Sequence, residues 1–180
     1  MKTKIILVRH GEPRYDEVLE RHYFGMGFDL GKLTERGVLQ AESRAQDPIL
    51  KGATLILSSP YTRALQTAAI ISRITQIPLS VENDLHEWMP DTAFKFDFDL
   101  SKSYEEYMHA KGIRTHEHIY RWESYDVLSK RVYEAIKKYK HHEKIIVVCH
   151  GIVMSTLTRF DDIIEHCGVR EKEIEWTSED

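Results

Sequence analysis

Apolar residues in this chain gather into short unbroken runs at 5–8, 55–57 and 145–148, with a weaker run at 78–81. These runs have strand length and are rich in β-branched residues and leucine. Most of them do not alternate with polar residues, which predicts strands covered on both faces, as in parallel α/β sheets. Helical periodicity fills the intervals. Residues 34–50 open on Thr34 as a candidate N-cap and reach Pro48 at the far end. Residues 59–75 place Ala64, Leu65, Ala68, Ala69 and Ile71 on or near one face, with Pro60 expected inside the first turn. Residues 124–140 space Val127, Leu128, Val132, Ile136 and Tyr139 at helical intervals and end in basic residues. Strands alternating with helices predict a three-layer α/β/α sandwich with a mostly parallel central sheet.

Two segments resist this reading. Residues 88–123 are irregular and crowded with aromatic and charged side chains, and read as an insertion that shapes or covers a pocket. Residues 160–180, with an acidic end that contains Trp176, are expected to finish the sheet or cap one edge of it.

The chain has 180 residues, 42% hydrophobic and 30% charged, which predicts one folded domain over 1–180 with a variable insertion at about 88–123. A formal charge of -4 gives no reason to expect nucleic acid or an anionic membrane as partner. Two cysteines, Cys149 and Cys167, make no disulfide framework. With no secretory pattern at the N-terminus and no run of ~20 apolar residues, a cytoplasmic protein is expected.

Chemistry concentrates at strand ends. The run at 5–8 breaks into Arg9-His10-Gly11-Glu12. The run at 55–57 ends in Ser58-Ser59-Pro60 and enters a helix carrying Arg63, and the run at 145–148 ends in Cys149-His150-Gly151. Ligands of open α/β sheets bind at the carboxyl ends of strands, so two histidines and two arginines are expected on one rim. Two guanidinium groups suit the oxygens of a phosphate. A neutral imidazole beside it can attack phosphorus and hold the group covalently. Charge stabilisation and positioning carry most of such a reaction, so no metal and no cofactor are expected. A leaving alkoxide needs an acid nearby, and strand-end position alone does not place one.

The motifs RHGE at 9–12, SSPYTRALQTA at 58–68, LHEW at 85–88 and VVCHG at 147–151 together resemble the histidine phosphatase superfamily, also called the phosphoglycerate mutase-like family. Glu123-Ser124, heading a helix before the last motif, is similar to it as well. The likeness covers roughly 4–154 and weakens between 88 and 123. It implies a metal-independent phosphohistidine enzyme with a phosphoglycerate mutase-like fold. By the resemblance, His10 is the nucleophile, Arg9 and Arg63 clamp phosphate, His150 binds the phosphoryl group, and Glu87 is the proton donor. Arg9, Arg63, His150 and Gly151 form the expected substrate-binding set. Asp84 and Asp91 are the alternative acids.

Three readings of function follow: a phosphatase of phosphomonoesters, a phosphoglycerate mutase-type phosphotransferase, and a non-catalytic binder of phosphorylated ligands. The chain is shorter than the family's cofactor-dependent mutases, which favours the phosphatase. A mutase must grip a carboxylate, for which Lys95, Lys102, Lys111, Arg114 and Arg121 are candidates. A small phosphorylated metabolite is the expected partner, with a phosphoprotein as the alternative. Asp16 stands where many family members carry asparagine, and its carboxylate would repel phosphate unless paired with Arg14 or Arg21. Glu12 either orients the site or faces solvent. His116, His118, His141 and His142 read as surface histidines rather than metal ligands, and Cys149 as a small core residue.

Overall fold

A computed structural model of the chain describes residues 1–177. Its centre is a five-stranded sheet in the order β3-β2-β4-β1-β5. The strands are β1 (Lys2–Arg9), β2 (Leu55–Ser58), β3 (Leu79–Val81), β4 (Lys144–Cys149) and β5 (Val169–Glu175). The pairs β1–β4, β2–β4 and β2–β3 are parallel, and β5 runs antiparallel along β1. The helices are α1 (Asp16–Glu20), α2 (Glu35–Ala45), α3 (Thr62–Thr75), α4 (Leu100–His109), α5 (Tyr125–Lys137) and α6 (Gly151–Ser155).

The unbroken apolar runs have a direct cause. Side chains alternate across a strand. Ile5, Leu7, Leu57, Ile145, Val147 and Cys149 enter a core with α5, α6 and the aromatic rings of Tyr107 and Trp122. Ile6, Val8, Ile56, Ile146 and Val148 enter the opposite core, against Ala64, Ala68 and Ile71 of α3. Both faces are therefore covered, and Cys149 is a buried free thiol of the first core.

Several helical ends follow their caps. Thr34 accepts from Gly37 N at 2.9 Å, as its position before α2 predicts. Ser124 accepts from Val127 N and opens α5. Other local expectations are corrected. Pro60 precedes α3 rather than lying in its first turn, because Tyr61 is the N-cap. Ala69 and Val127 face outward, Val127 with 56% of its surface exposed, so the buried stripes of α3 and α5 are narrower than the apolar spacing suggests. The insertion contains α4, capped by Asp99 through Ser101 N at 2.9 Å.

The tail completes the sheet as β5, and Trp176 ties down the far end of that strand. Trp176 is buried and donates from Nε1 to Thr3 Oγ1 at 2.8 Å, while Trp176 N donates to Met1 O at 2.7 Å. Residues 178–180 of the acidic end lie outside the described residues. Among the described residues no helix is long and apolar enough to cross a membrane.

The β1 exit is wedged against the start of α2. Glycines meet there: a methyl group at Gly11 would stand 2.5 Å from Gly37 O, and one at Gly37 would stand 2.3 Å from Glu12 O. Alanine is ordinarily better than glycine inside a helix by ~1 kcal/mol. At Gly37 the backbone clash overrides that gain, since overpacking costs roughly 1–3 kcal/mol. Gly37→Ala is therefore expected to lower the urea midpoint of unfolding, and an unchanged or raised midpoint would show that the two backbones separate freely.

Candidate active site

The register Arg9 opposite Cys149 carries the first and last motifs to one rim, and His10 N donates to Cys149 O at 3.0 Å. His10 and His150 then face each other edge-on, with ring centroids 5.2 Å apart. Arg63, in the first turn of α3, sends Nε to within 3.3 Å of His10 Nε2. Arg9, His10, Arg63 and His150 thus come together as the strand-end argument expects.

The tautomer of His10 follows from its partners. Nδ1 lies 2.8 Å from Gly11 O, which can only accept, so Nδ1 carries the proton. In the neutral ring the lone pair is then on Nε2, the atom that Arg63 faces. Burial pushes the His10 pKa down to about 3 against the opposing pull of the Gly11 carbonyl, and the Arg63 and Arg9 charges push the same way. His150 is also held well below the ordinary histidine range, first by burial and then by Arg63. Its Nε2 sits 2.7 Å from Ser59 Oγ, the last serine of the second motif.

Two buried nitrogens here make no hydrogen bond within the protein: Nε of Arg9 and Nδ1 of His150. Buried polar atoms normally find a partner, and an oxyanion would supply one. Arg9 donates from its terminal guanidinium nitrogen to Ile164 O and lies over Gly151, where a methyl group would come 3.8 Å from Nε. That is ordinary contact, so a side chain at Gly151 would fit beside the guanidinium, whereas Gly11 makes room for the α2 backbone rather than for a ligand.

Glu87 lines the cleft beside Arg9 and also the cleft beside Asp29. Burial raises its pKa against the Trp88 N–H, which donates to Oε1 at 2.9 Å, and against the charges of Arg63 and Arg9. The alternative acids are engaged by other partners, although Asp91 lines the cleft beside Asp29 as well. Asp91 accepts from Ala93 N, Lys95 N, Phe96 N and the Arg121 guanidinium, whose hydrogen bonds lead in holding its carboxyl well below the usual range. Asp84 stands outside both clefts and pairs with Lys138 at 3.5 Å.

Sequence reasoning overlooked three neighbours. Asp29 pairs with Arg63 at 3.0 Å from a 3-10 segment, Gly25–Leu30, that crosses the rim. Arg131 grips Glu123 at 2.7 and 2.9 Å and also donates to the carbonyls of Asp84, His86 and Glu87. It fixes the backbone that carries Glu87. His166 lies with its ring centroid 5.6 Å from that of His10, delivered by the loop before β5. The Glu123-Ser124 pair at the head of α5 is a signal for Arg131, which lies two turns further along that helix. Asp29 and His166 give no such signal.

The open questions at the rim also resolve. Asp16 pairs with Arg14 through two hydrogen bonds, at the surface. Glu12 accepts from Thr34 Oγ1 at 2.9 Å and so braces the start of α2. His118 is packed on Trp122 at 5.1 Å rather than standing free. His142 bonds Thr54 at 2.7 Å.

Two guanidinium groups and two neutral imidazoles around one buried point make a receptor for a tetrahedral oxyanion. The sequence profile of the histidine phosphatase superfamily (branch 1) matches residues 5–161, and the chain belongs to that superfamily. The fold agrees with solved structures. The mycobacterial glucosyl-3-phosphoglycerate phosphatase superposes with a TM-score of 0.71 at 17% identity, over 98% of this chain and 92% of that one. Phosphoglycerate mutase from Bacillus anthracis str. Sterne gives 0.68 at 19% identity, over 97% and 88%. Bacillus stearothermophilus YhfR gives 0.69 at 22% identity, over 94% and 90%. Curated protein sequences give no match. The family and its phosphatase neighbours support an enzyme acting on phosphate esters.

The depressed pKa of His10 links to stability. Below about pH 6.5 the unfolded chain gains a proton on His10 that the native protein does not take up until about pH 3. The contribution is full above about pH 6.5 and is lost as pH falls toward 3. His10→Gln is expected to remove about 1.4 kcal/mol per pH unit from the slope of unfolding free energy over this window. Parallel slopes in the two proteins would mean that His10 is protonated in the native state.

Proposed function

We infer that the protein is a metal-independent phosphatase that hydrolyses a phosphomonoester through a phosphohistidine on His10. The observation that carries this reading is the tautomer: Nδ1 is tied to Gly11 O, so Nε2 keeps its lone pair inside the clamp of Arg9 and Arg63. Nε2 attacks phosphorus, the bond from phosphorus to the leaving oxygen breaks, and Glu87 delivers its proton to that oxygen. The Glu87 carboxylate then takes a proton from water as the water attacks phosphorus. The P–N bond breaks, inorganic phosphate forms, and His10 recovers its lone pair. Arg9, Arg63 and His150 balance the charge on the phosphoryl oxygens. Inorganic phosphate is bound in a structure of the mycobacterial phosphatase, which fits the same kind of receptor.

A phosphoglycerate mutase shares the fold, so the fold does not separate the two activities. The placement of the basic residues considered for gripping a carboxylate bears on the choice. Lys95, Lys102, Lys111 and Arg114 are exposed and line neither cleft, and Arg121 is spent on Asp91 and Asp97. This favours hydrolysis. A small phosphorylated metabolite is the substrate in this reading. No part is assigned to nucleic acid or membrane, and two free cysteines suit a cytoplasmic setting.

Release of inorganic phosphate from 4-nitrophenyl phosphate in EDTA is expected from the wild type and is expected to vanish in His10→Ala. Equal release by both proteins would remove His10 as nucleophile. Glu87→Gln is expected to lower kcat/KM for alkyl phosphates by roughly 10²–10⁴-fold and that for 4-nitrophenyl phosphate far less, because nitrophenolate leaves without a proton and the shared hydrolysis step does not enter kcat/KM. The raised pKa of Glu87 adds a sign. Alkyl ester hydrolysis falls as pH rises through that pKa, and this limb is absent in Glu87→Gln. An equal effect on both ester types would assign the proton to another group.

A further inference from the structure

Glu87 and Tyr104 stand between two clefts, so the oxygen that Glu87 protonates has two places to carry its substituent. The larger, of about 540 Å³, runs from Tyr61 and Asp29 to the insertion. Its charged residues are Asp29, Glu87 and Asp91, with no lysine, arginine or histidine among its lining residues. Asp91 is neutralised by Arg121 and Asp29 by Arg63. The smaller, of about 370 Å³, has Arg9 as its one cation beside Glu87, Asp161 and Asp162. An anionic substituent would lose its hydration in the larger cleft and meet no positive partner.

What the larger cleft offers is aromatic surface. Tyr15 and Phe28 stack with centroids 4.3 Å apart and planes within 9°. Phe94 remains 53% exposed and Met26 50% exposed in the same concavity. The backbone that presents Phe94 and Phe96 is strained: both residues have positive φ, 55° and 51°, which L side chains rarely adopt. Buried Asp91 holds that loop by accepting from three of its N–H groups, and Arg121 holds Asp91. Gly25, itself at φ 57°, brings the opposite wall so close that a methyl group there would lie 2.5 Å from the Phe96 ring. A strained, braced loop that leaves a phenyl ring in a concave wall beside the acid is built for a flat apolar guest.

We propose that the larger cleft holds the leaving group of the substrate, and that this group is an uncharged aromatic alcohol. The proposal rests on the phosphatase reading of the same site and narrows it to one substrate class. Leaving-group acidity must be matched in the test, so primary alkyl esters are compared: 2-phenylethyl phosphate against the phosphate ester of 3-hydroxypropanoate. The expected wild-type kcat/KM favours the phenyl ester by at least roughly tenfold, the scale set by burying one ring. The ratio is expected to fall toward unity in Phe94→Ala and in Phe28→Ala, chiefly through KM. Binding is measured in parallel by calorimetry with the non-hydrolysable 3-phenylpropylphosphonate and 3-carboxypropylphosphonate, where the same preference is expected. Phosphate release at equal kcat/KM from both esters overturns the proposal and leaves the phosphatase reading standing. A preference that survives both substitutions also overturns it, since the ring then lies elsewhere. Phosphonate preference without any turnover supports the cleft assignment and sinks the hydrolase reading instead. Equal phosphonate affinities overturn the cleft assignment whatever turnover shows.

Discussion

Everything at the site depends on the parallel pairing of β1 with β4. Their register sets Arg9 opposite Cys149, so the next residue on each strand is a histidine. A slip of one residue would move every side chain of one strand to the other face and part the two rings. The register is held because both cores are apolar and each strand feeds alternate residues to both. Neither strand has a polar face to turn outward. Catalytic geometry is thus set by hydrophobic burial on both sides of a sheet, and the charged groups are delivered to its edge.

Burial has an electrical consequence there. Two imidazoles placed together beside two guanidinium groups cannot easily take up protons, and both are held neutral. A cationic pocket is thereby made from arginines alone, while the histidines keep lone pairs. Glu87 is pushed the other way, because desolvation of a carboxyl favours its neutral form. Opposite shifts from one cause, the exclusion of water, give one group a lone pair and the other a proton.

The parts of this arrangement legible in the sequence are those carried by local pattern. Strand runs, the Thr34 cap, and the strand-end residues Arg9, His10, Arg63 and His150 all announce themselves within a few residues of chain. Glu87 needed the resemblance, since a lone acid in a loop has no local signature. Asp29 and His166 are supplied by loops whose path is decided elsewhere in the molecule. The insertion is the clearest case. Its loop geometry depends on Asp91, whose partner Arg121 is thirty residues away, and on left-handed conformations at two phenylalanines, which sequence preference argues against. The narrower stripes of α3 and α5 have a plainer reason: apolar spacing marks a face but not how much of it a neighbour covers.

The two edges of the sheet are finished differently. β3 is only three residues long and presents little backbone to an outside strand. β5 is longer, and it reads Val-Arg-Glu-Lys-Glu-Ile-Glu, with Glu171, Lys172 and Glu173 exposed. Lys2 and Lys4 bind its carboxylates from the next strand, at 2.8 Å for Lys2–Glu173. Such an edge offers hydrogen-bonding groups only through a fringe of charges of both signs, which an incoming apolar strand would have to strip of water. At high concentration the folded chain is thereby protected from edge-to-edge growth into larger sheets.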